Sequence, residues 1–293
     1  MYVDDTNLFV DVHWQLTYNC VYNCEYCFRK NYHTDKYSSL ALCMHTCNTL
    51  KNIDKISNLT LIGGEPTLHP QFLNIIDKCK DFKNIENITI YSNGHDKSIL
   101  LAAKSMLKHC VFMLSYHSKM VNLDKFMKTI IDLLSVNANV HCVIMLELNE
   151  YNKVVECINK CKKIHNEHFM FSVVPIMDTQ YSEEYLSLIP TSSIDNTNKI
   201  YYKFIDGTIE IYNDNEIKIL PSKYHSFTLM QCYSNSFITI DPNCKFYSRC
   251  DNKKLDIDNI AKEINTSHMC TKQICYHRDD IRFIYKYLKS KPK

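Results

Sequence analysis

Three cysteines lie within eight residues near the start of the chain, in the run CVYNCEYC. Cys20, Cys24 and Cys27 have the spacing CxxxCxxC, and thiolates at this spacing can bind three irons of a [4Fe-4S] cube. The fourth iron then has no protein ligand and can bind a small molecule directly, as a catalytic zinc ion does at its open position. Two other interpretations are a zinc site with three thiolate ligands and a chance spacing in a chain with 15 cysteines.

Two further motifs follow segments that are typical of short buried strands. Gly63-Gly64-Glu65-Pro66 comes after residues 59–62, and Tyr91-Ser92-Asn93-Gly94 ends a second strand. Together with the cysteine triad, these motifs resemble the radical S-adenosylmethionine (SAM) superfamily, in which the same three elements follow the first three strands in this order. The resemblance implies an enzyme that cleaves SAM reductively at a [4Fe-4S] cluster, giving a 5'-deoxyadenosyl radical that abstracts hydrogen from a substrate.

The resemblance also implies roles for individual residues around the cluster. Cys20, Cys24 and Cys27 are the implied ligands, with Tyr26 at the aromatic position before the last cysteine and Phe28 as a shield. Gly63, Gly64 and Glu65 are expected at the amino group of SAM, where a residue without Cβ lets the backbone approach closely.

The remaining SAM contacts are expected after the later strands. Ser92 and Asn93 are placed near the methionine carboxylate or the ribose, and Ser115 near the ribose hydroxyls. Glu147, Asn149 and the backbone of 174–176 are weaker candidates for the adenosine. For Ser115, His117 and Glu147 an ordinary polar loop residue is an equally good interpretation.

The pattern of the first 178 residues is that of βα units on a parallel sheet. We predict strands over 9–17, 58–62, 87–92, 111–116, 140–147 and 169–175, and helices over 38–51, 71–82, 97–108, 122–135 and 151–165. The family resemblance implies the same arrangement, an α/β fold that is a partial (β/α)6 TIM-type barrel. Its active site is expected at the carboxyl ends of the strands.

The first strand alternates between apolar and polar residues, and successive side chains of a strand point to opposite faces. We expect the apolar residues to pack under the outer helices and the polar residues to face the barrel interior. The two sets are Val10, Val12, Trp14, Leu16 and Asp11, His13, Gln15, Thr17. His13 and Gln15 are therefore either substrate contacts or a satisfied hydrogen-bonded pair.

The pattern changes after residue 178, so the predicted domains are a barrel over 1–178 and a cysteine-rich extension over 179–293. A helical turn is expected at 183–188. One hairpin is expected at 199–212 around Asp206-Gly207, and a second at 237–247. A final helix is expected over 279–288, where apolar side chains recur at helical spacing.

The extension contains a second group of cysteines that resembles the auxiliary-cluster domains called SPASM and twitch. We favour Cys232, Cys250, Cys270 and Cys275 as ligands of one auxiliary [4Fe-4S] cluster, with Cys244 as a substitute. The resemblance is imperfect, because those domains usually have glycine in the hairpin turn and often close with CxxC. A zinc site and unligated cysteines are the alternatives, and His268 or His277 could replace a thiolate.

Composition argues against nucleic-acid binding, a membrane span and secretion. The net charge of +2 includes no basic block, so nothing indicates a nucleic-acid surface. No apolar stretch approaches the roughly 18 residues of a membrane helix, and the acidic start is unlike a signal peptide. Many cysteines without such a signal indicate reduced thiols and a cytoplasmic protein. Several of them are expected to pack as small hydrophobic residues: Cys43, Cys47, Cys79, Cys110, Cys142, Cys157 and Cys161.

The sequence leaves three interpretations of the function open. The auxiliary-cluster resemblance favours a peptide or protein side chain, with flavodoxin or ferredoxin as the reductant. The alternative is a nucleoside, nucleotide or other small metabolite, with structural C-terminal cysteines. A third possibility is an iron-sulfur protein that binds or senses without turning over SAM, and the intact GGEP turn argues against it.

Overall fold

The structure is a computed structural model. It describes residues 10–27, 29, 32, 36–106, 110–176, 179–189, 199–204, 209–213, 230–232, 236–249, 252–266, 268–269 and 285–287. Phe28, Cys250, Cys270, Cys275 and His277, which the sequence singles out, lie outside these residues.

Strands and helices alternate through the first two thirds of the chain. The strands are β1 (Asp11–Gln15), β2 (Asn58–Ile62), β3 (Ile88–Ser92), β4 (Cys110–Tyr116), β5 (Asn139–Leu146) and β6 (Phe169–Pro175). The helices are α1 (Leu40–Lys51), α2 (Phe72–Cys79), α3 (Ser98–Ser105), α4 (Leu123–Leu134), α5 (Tyr151–Lys162) and the short α6 (Glu183–Leu186). Each element lies within a few residues of its predicted bounds, so the predicted βα pattern is confirmed.

Two later strands, β10 (Phe237–Ile240) and β11 (Phe246–Ser248), join these six. Together they form one eight-stranded sheet in the order β11-β10-β1-β2-β3-β4-β5-β6. Strands β2 to β6 are parallel throughout, and a helix connects each of them to the next. Because β11 and β6 are left at the two edges, the sheet is open, and the predicted partial TIM-type barrel is confirmed.

The core follows from the alternation of the strands. Val12 and Trp14 of β1 are 0% and 1% exposed, whereas His13 and Gln15 on the opposite face are half-buried. The same period of two holds in β4, where Phe112, Leu114 and Tyr116 are buried and the residues between them are more accessible. In these two strands one face therefore packs in the core, and His13, Gln15 and Ser115 lie on the more accessible face.

Local signals fix where two of the helices begin. The Ser39 side chain accepts a hydrogen bond from the Leu42 backbone at the start of α1, and the Asn122 side chain does the same for Lys125 at the start of α4. Such N-caps satisfy backbone donors that have no partner within the helix. The connecting loops are thereby held at the carboxyl ends of the strands.

A second sheet of five strands is built from the C-terminal region, in the order β12-β9-β13-β7-β8. Its members are β7 (Lys199–Phe204), β8 (Ile209–Asn213), β9 (Met230–Cys232), β12 (His268–Met269) and β13 (Tyr285–Tyr287), and a short helix α7 (Ile260–Ile264) precedes β12. Strands β7 and β8 pair antiparallel, which confirms the first predicted hairpin.

The predicted final helix is wrong over its described part. Residues Tyr285–Tyr287 form β13, which pairs parallel with β7 and antiparallel with β9. Tyrosine is common in strands, and pairing with β7 and β9 gives the backbone N–H and C=O groups of this segment their hydrogen bonds. The helical spacing of the apolar residues carries no information about this pairing.

The chain divides into two compact units. One comprises Met1–Val12, Ile194–Thr239 and Phe246–Lys293, and the other comprises His13–Ser193 and Ile240–Lys245. The second unit holds the βα region and the turn of the β10–β11 hairpin. The division predicted from the sequence, into a barrel over 1–178 and an extension over 179–293, stays a prediction. None of the helices in the described part of the chain has the length and apolar character that a membrane span requires.

A buried histidine beyond the GGEP turn predicts a pH-dependent stability. His69 is 2% exposed, and its Nδ1 accepts a hydrogen bond from the Gln71 backbone at 3.0 Å. Burial lowers the pKa of His69 to about 4, whereas the unfolded chain takes up this proton near pH 6.5. The free energy of unfolding should therefore fall as the pH drops from about 6.5 to about 4, by about 3 kcal/mol in total.

Urea unfolding across this pH range measures the effect. His69→Asn keeps an acceptor near the position of Nδ1 and does not titrate, so it should lose this part of the pH dependence. His165→Asn, at an exposed histidine, is the control and should keep it. An unchanged slope in His69→Asn would show that His69 is not the group responsible.

Candidate functional site

The three cysteines of the triad lie on one loop that follows β1. The Leu16 backbone donates to the Ile62 carbonyl at 2.8 Å, so the start of this loop is fixed to the end of β2. Cys24 is 6% exposed, and Cys20 and Cys27 are half-buried. The Cys27 backbone donates to the Cys24 carbonyl at 3.1 Å and closes a turn between these two residues. We call residues 16–27 the cysteine loop.

Polar groups from three places contact the sulfur atoms of the cysteine loop. The Tyr22 backbone donates to Cys20 Sγ at 3.4 Å, and Asn93 Nδ2 donates to the same sulfur at 3.7 Å. His117 Nδ1 lies 3.6 Å from Cys24 Sγ. The residues that follow β3 and β4 therefore converge on the cysteines, as expected for the carboxyl end of a parallel sheet.

Burial shifts the pKa of the thiols in this loop. Burial raises the pKa of Cys20, and the Tyr22 hydrogen bond opposes it. Burial also raises the pKa of Cys24, to about 11. Near pH 7 these groups are thiols, and a metal centre supplies the positive charge that ionises them. The donor set itself, three cysteines of which Cys20 and Cys24 have polar groups at their sulfurs, fits an iron-sulfur cluster.

The two glycines of the GGEP turn press against the cysteine loop. A Cβ on Gly63 would lie 2.3 Å from the Thr17 carbonyl oxygen, and one on Gly64 would lie 2.2 Å from that of Asn19. The Gly64 and Glu65 backbones donate to these same two carbonyls, at 2.8 and 2.7 Å. The chain's own backbone therefore takes the space that each missing Cβ leaves.

Glu65 connects the GGEP turn to the SNG turn. It is 0% exposed, and one oxygen accepts from Ser92 Oγ at 2.9 Å while the other accepts from the Asn93 backbone at 2.7 Å. Thr67 donates twice to the first oxygen, from its backbone at 3.2 Å and its hydroxyl at 2.7 Å. Burial raises the pKa of Glu65 and these donors oppose it. The carboxylate thus binds donors of its own chain, although the sequence suggested the amino group of SAM.

The SNG turn is ordered by its own side chains. Ser92 and Asn93 are 4% and 5% exposed. Ser92 Oγ accepts from the Gly94 backbone at 3.0 Å, and Asn93 Oδ1 accepts from the His95 backbone at 2.9 Å. Gly94 has a φ of 69°, a left-handed conformation that glycine adopts without strain. Asn93 Nδ2 is thereby held toward Cys20.

An aromatic cluster covers Cys24. The Tyr26 hydroxyl lies 2.5 Å from His117 Nδ1, and the two rings stack with centroids 6.0 Å apart. The edge of Tyr22 packs on His117 from another side, with centroids 5.8 Å apart. The sequence predicted Tyr26 here and did not single out Tyr22, and it left His117 open between a site residue and an ordinary polar loop residue. Its position directly after β4 was the available signal.

Glu147 follows β5 and has one oxygen without a hydrogen-bond partner among the described residues. It is 2% exposed, and its other oxygen accepts from Ser118 Oγ and from the Lys119 backbone. A buried oxygen of this kind is costly unless a donor reaches it. SAM carries suitable donors in its amino group and ribose hydroxyls, so Glu147 fits that cofactor.

The remaining residues predicted to contact SAM or the substrate lie on β1, on β4 and after β5. Ser115 is half-buried one residue before the end of β4, and His13 and Gln15 are half-buried on β1. Asn149 is exposed with a φ of 67°, and its backbone donates to the Tyr185 hydroxyl at 3.1 Å.

The C-terminal cysteines are described only in part. Cys232 ends β9, with His268 of β12 as its antiparallel partner. Cys244 occupies the turn between β10 and β11 with a φ of 57°, at the place where the auxiliary-cluster domains usually have glycine. It is 8% exposed, and its sulfur lies 3.5 Å from Ser38 Oγ. A hydrogen bond from Cys43 lowers the pKa of Cys244.

Comparison with protein families identifies the chain. The family model of the radical SAM superfamily matches residues 14–189, which contain the cysteine loop, the GGEP turn, the SNG turn and Glu147. The chain belongs to the radical SAM superfamily. It is therefore an enzyme of the radical SAM class, and its cofactors are a [4Fe-4S] cluster and SAM.

One curated relative is the S-adenosylmethionine-dependent nucleotide dehydratase of Selenomonas ruminantium. It is 33% identical over 99 residues, and the match covers 32% of this chain and 32% of the relative. The chain thus matches about a third of that protein's length.

Two solved structures are among those that the chain matches. Native anSMEcpe with bound AdoMet has a TM-score of 0.55 at 15% identity, covering 87% of this chain and 79% of that chain. Streptococcus suis SuiB has a TM-score of 0.47 at 20% identity, covering 60% of this chain and 41% of that chain. The likeness to anSMEcpe agrees with the open α/β fold described above.

Proposed function

We propose that this radical SAM enzyme binds its [4Fe-4S] cluster through Cys20, Cys24 and Cys27 and cleaves SAM there. When bound, the cluster and SAM supply a 5'-deoxyadenosyl radical that takes a hydrogen atom from the substrate. The observation that supports this proposal is the hydrogen-bonded connection of the cysteine loop, the GGEP turn and the SNG turn, with Glu65 between the two turns.

The residues around the cysteines have distinct proposed tasks. Tyr26 and His117 cover Cys24, exclude water from it and hold its sulfur by hydrogen bonding. Asn93 does the same for Cys20. Hydrogen bonds to a ligating sulfur and exclusion of water are two of the ways in which a protein tunes the potential of a cluster.

Binding of SAM is assigned to the turns that surround the cysteine loop. Gly63, Gly64, Ser92, Asn93 and Ser115 remain the proposed contacts. Glu65 is proposed as a positioning residue, because its carboxylate already accepts hydrogen bonds from Ser92, Asn93 and Thr67. Glu147 is proposed as a direct acceptor for a SAM donor, since its buried oxygen needs a partner.

A peptide or protein side chain is the proposed substrate. The support is the group of cysteines in the extension, which resembles auxiliary-cluster domains, and the electron is proposed to come from flavodoxin or ferredoxin. Native anSMEcpe, which shares the fold, has been crystallised with the Cp18Cys peptide, and that chain is covered to 79% at a TM-score of 0.53. The accessible polar face of β1, with His13 and Gln15, is the proposed substrate surface.

A nucleotide is the second candidate substrate. The observation that favours it is the 33% identity over 99 residues with the nucleotide dehydratase of Selenomonas ruminantium. On this alternative the C-terminal cysteines stabilise the extension rather than hold a redox cluster.

The rate of 5'-deoxyadenosine formation distinguishes the two substrates. We expect the reduced, anaerobically reconstituted enzyme to form it at least about tenfold faster when a bound substrate positions the reacting hydrogen. The probes are the Cp18Cys peptide and a mixture of the four ribonucleoside triphosphates. Stimulation by the peptide alone supports the first candidate, and stimulation by the nucleotides alone replaces it with the second. The same probes with Cys24→Ala give the background.

A further inference from the structure

Three buried cysteines come together in a part of the molecule that the proposed function does not use. Cys142 lies on β5, and Cys157 and Cys161 lie one turn apart on α5, which packs on that strand. They are 0%, 0% and 1% exposed. All three are free thiols in the structure.

The distances between the three sulfur atoms suit a single ion. All three atoms lie within 4.8 Å of one another, and the sulfurs of Cys142 and Cys161 are 3.9 Å apart. Zinc-sulfur bonds of about 2.3 Å place two sulfurs on one tetrahedral or trigonal ion at about 3.8 to 4.0 Å. Cysteines that serve only as small hydrophobic residues need no such mutual approach.

A buried hydroxyl lies on β4, the strand that pairs with β5. Tyr116, at the end of β4, is 0% exposed, and its hydroxyl has no hydrogen-bond partner among the described residues. Burial raises the pKa of Tyr116, and the charge of Cys157 raises it further. A buried hydroxyl without a partner is costly, and the cost disappears if its oxygen binds a cation.

We propose that Cys142, Cys157 and Cys161 form a binding site for one soft closed-shell cation, Zn²⁺ or Cu⁺. Thiolates select these ions over harder cations. Binding ionises the three thiols and releases three protons to solvent. Zn²⁺ then leaves a net charge of −1 on the site and Cu⁺ a net charge of −2, so burial in an apolar core favours Zn²⁺. Zn²⁺ completes four-coordination with the neutral Tyr116 hydroxyl, whereas Cu⁺ needs the three sulfurs alone. The ion would fasten α5 to β5, the strand that Glu147 follows.

Metal content of the full-length protein tests the proposal. The anaerobically reconstituted protein is incubated with Zn²⁺ or with Cu⁺, passed through a desalting column and analysed for each ion. We expect about one ion per chain beyond the iron, and its loss in Cys157→Ala/Cys161→Ala. Cys110→Ala is the matched control, because Cys110 is a buried thiol outside the cluster and 2% exposed. It should keep the ion.

Two further measurements complete the test. One distinguishes Zn²⁺ from Cu⁺, and the other uses the wild-type protein and so does not depend on the folding of a variant. Tyr116→Phe should weaken Zn²⁺ binding at least about tenfold and leave Cu⁺ binding unchanged. X-ray absorption at the metal edge of the wild-type protein should show three sulfur neighbours at about 2.3 Å. The proposal is overturned if the wild type retains neither ion, if Cys157→Ala/Cys161→Ala retains as much as the control, or if the metal has fewer than two sulfur neighbours.

Discussion

Cys24→Ala is expected to abolish formation of 5'-deoxyadenosine from SAM, with a loss of about three orders of magnitude or more. Cys24 is the most buried member of the triad, and its sulfur contacts His117. Alanine offers no ligand in its place, so the cluster loses one of its three protein bonds. The visible absorbance of the reconstituted cluster should be lost together with the activity.

A matched control separates loss of a ligand from loss of a buried thiol. Cys79 is 0% exposed and lies on α2, away from the cysteine loop. Cys79→Ala should therefore keep the cluster and the activity and cost only stability, as other truncations in the core do. Equal activity of Cys24→Ala and Cys79→Ala would remove Cys24 from the ligand set.

Glu65→Gln is expected to destabilise the protein by about 3 to 5 kcal/mol and to reduce SAM cleavage by at least about 100-fold. The carboxylate accepts from Ser92, from Asn93 and twice from Thr67. The glutamine amide has the same shape, but its NH₂ group faces N–H and O–H groups that donated to the carboxylate. Each buried donor that loses its acceptor costs about 1 to 3 kcal/mol. The GGEP and SNG turns then lose their connection, so the SAM contacts are displaced.

The comparison for this variant is an exposed glutamate. Glu86 pairs with Lys55 at 2.9 Å, and both side chains are about half exposed, at 49% and 47%. Pairs of this kind contribute about 0 to 1 kcal/mol, so Glu86→Gln should change neither stability nor activity by much. Unfolding in urea measures the first quantity and 5'-deoxyadenosine formation the second. If both variants lose the same stability, the Glu65 network is not a structural connection.

Part of this architecture was predictable because it depends on local patterns. Alternating residues in β1 place Trp14 in the core and His13 on the other face, and the βα periodicity located the six strands β1 to β6. The second hairpin, with Asp241 at its turn, followed from its turn residues in the same way. The cysteine spacing together with the GGEP and SNG motifs indicated the metal chemistry, since the three proposed ligands lie on one short loop.

Contacts between distant parts of the chain were not predictable from these patterns. Cys24 and His117 are 93 residues apart, and Glu65 and Asn93 are 28 apart. Only the sheet order brings such residues together. For the same reason Cys142, Cys157 and Cys161 looked like separate core residues, and Tyr285–Tyr287 was taken for part of a helix although pairing with β7 makes it a strand.

The most direct test of the central claim is the stoichiometry of SAM cleavage. The wild-type protein and the variant Cys20→Ala/Cys24→Ala/Cys27→Ala are reconstituted with iron and sulfide without oxygen, reduced with dithionite and incubated with SAM. The wild type should hold about four irons in the triad cluster and form methionine and 5'-deoxyadenosine in equal amounts, and the variant should form neither. Cleavage of SAM by the iron-free variant, or a wild type that assembles the cluster and binds SAM without ever cleaving it, would contradict the account.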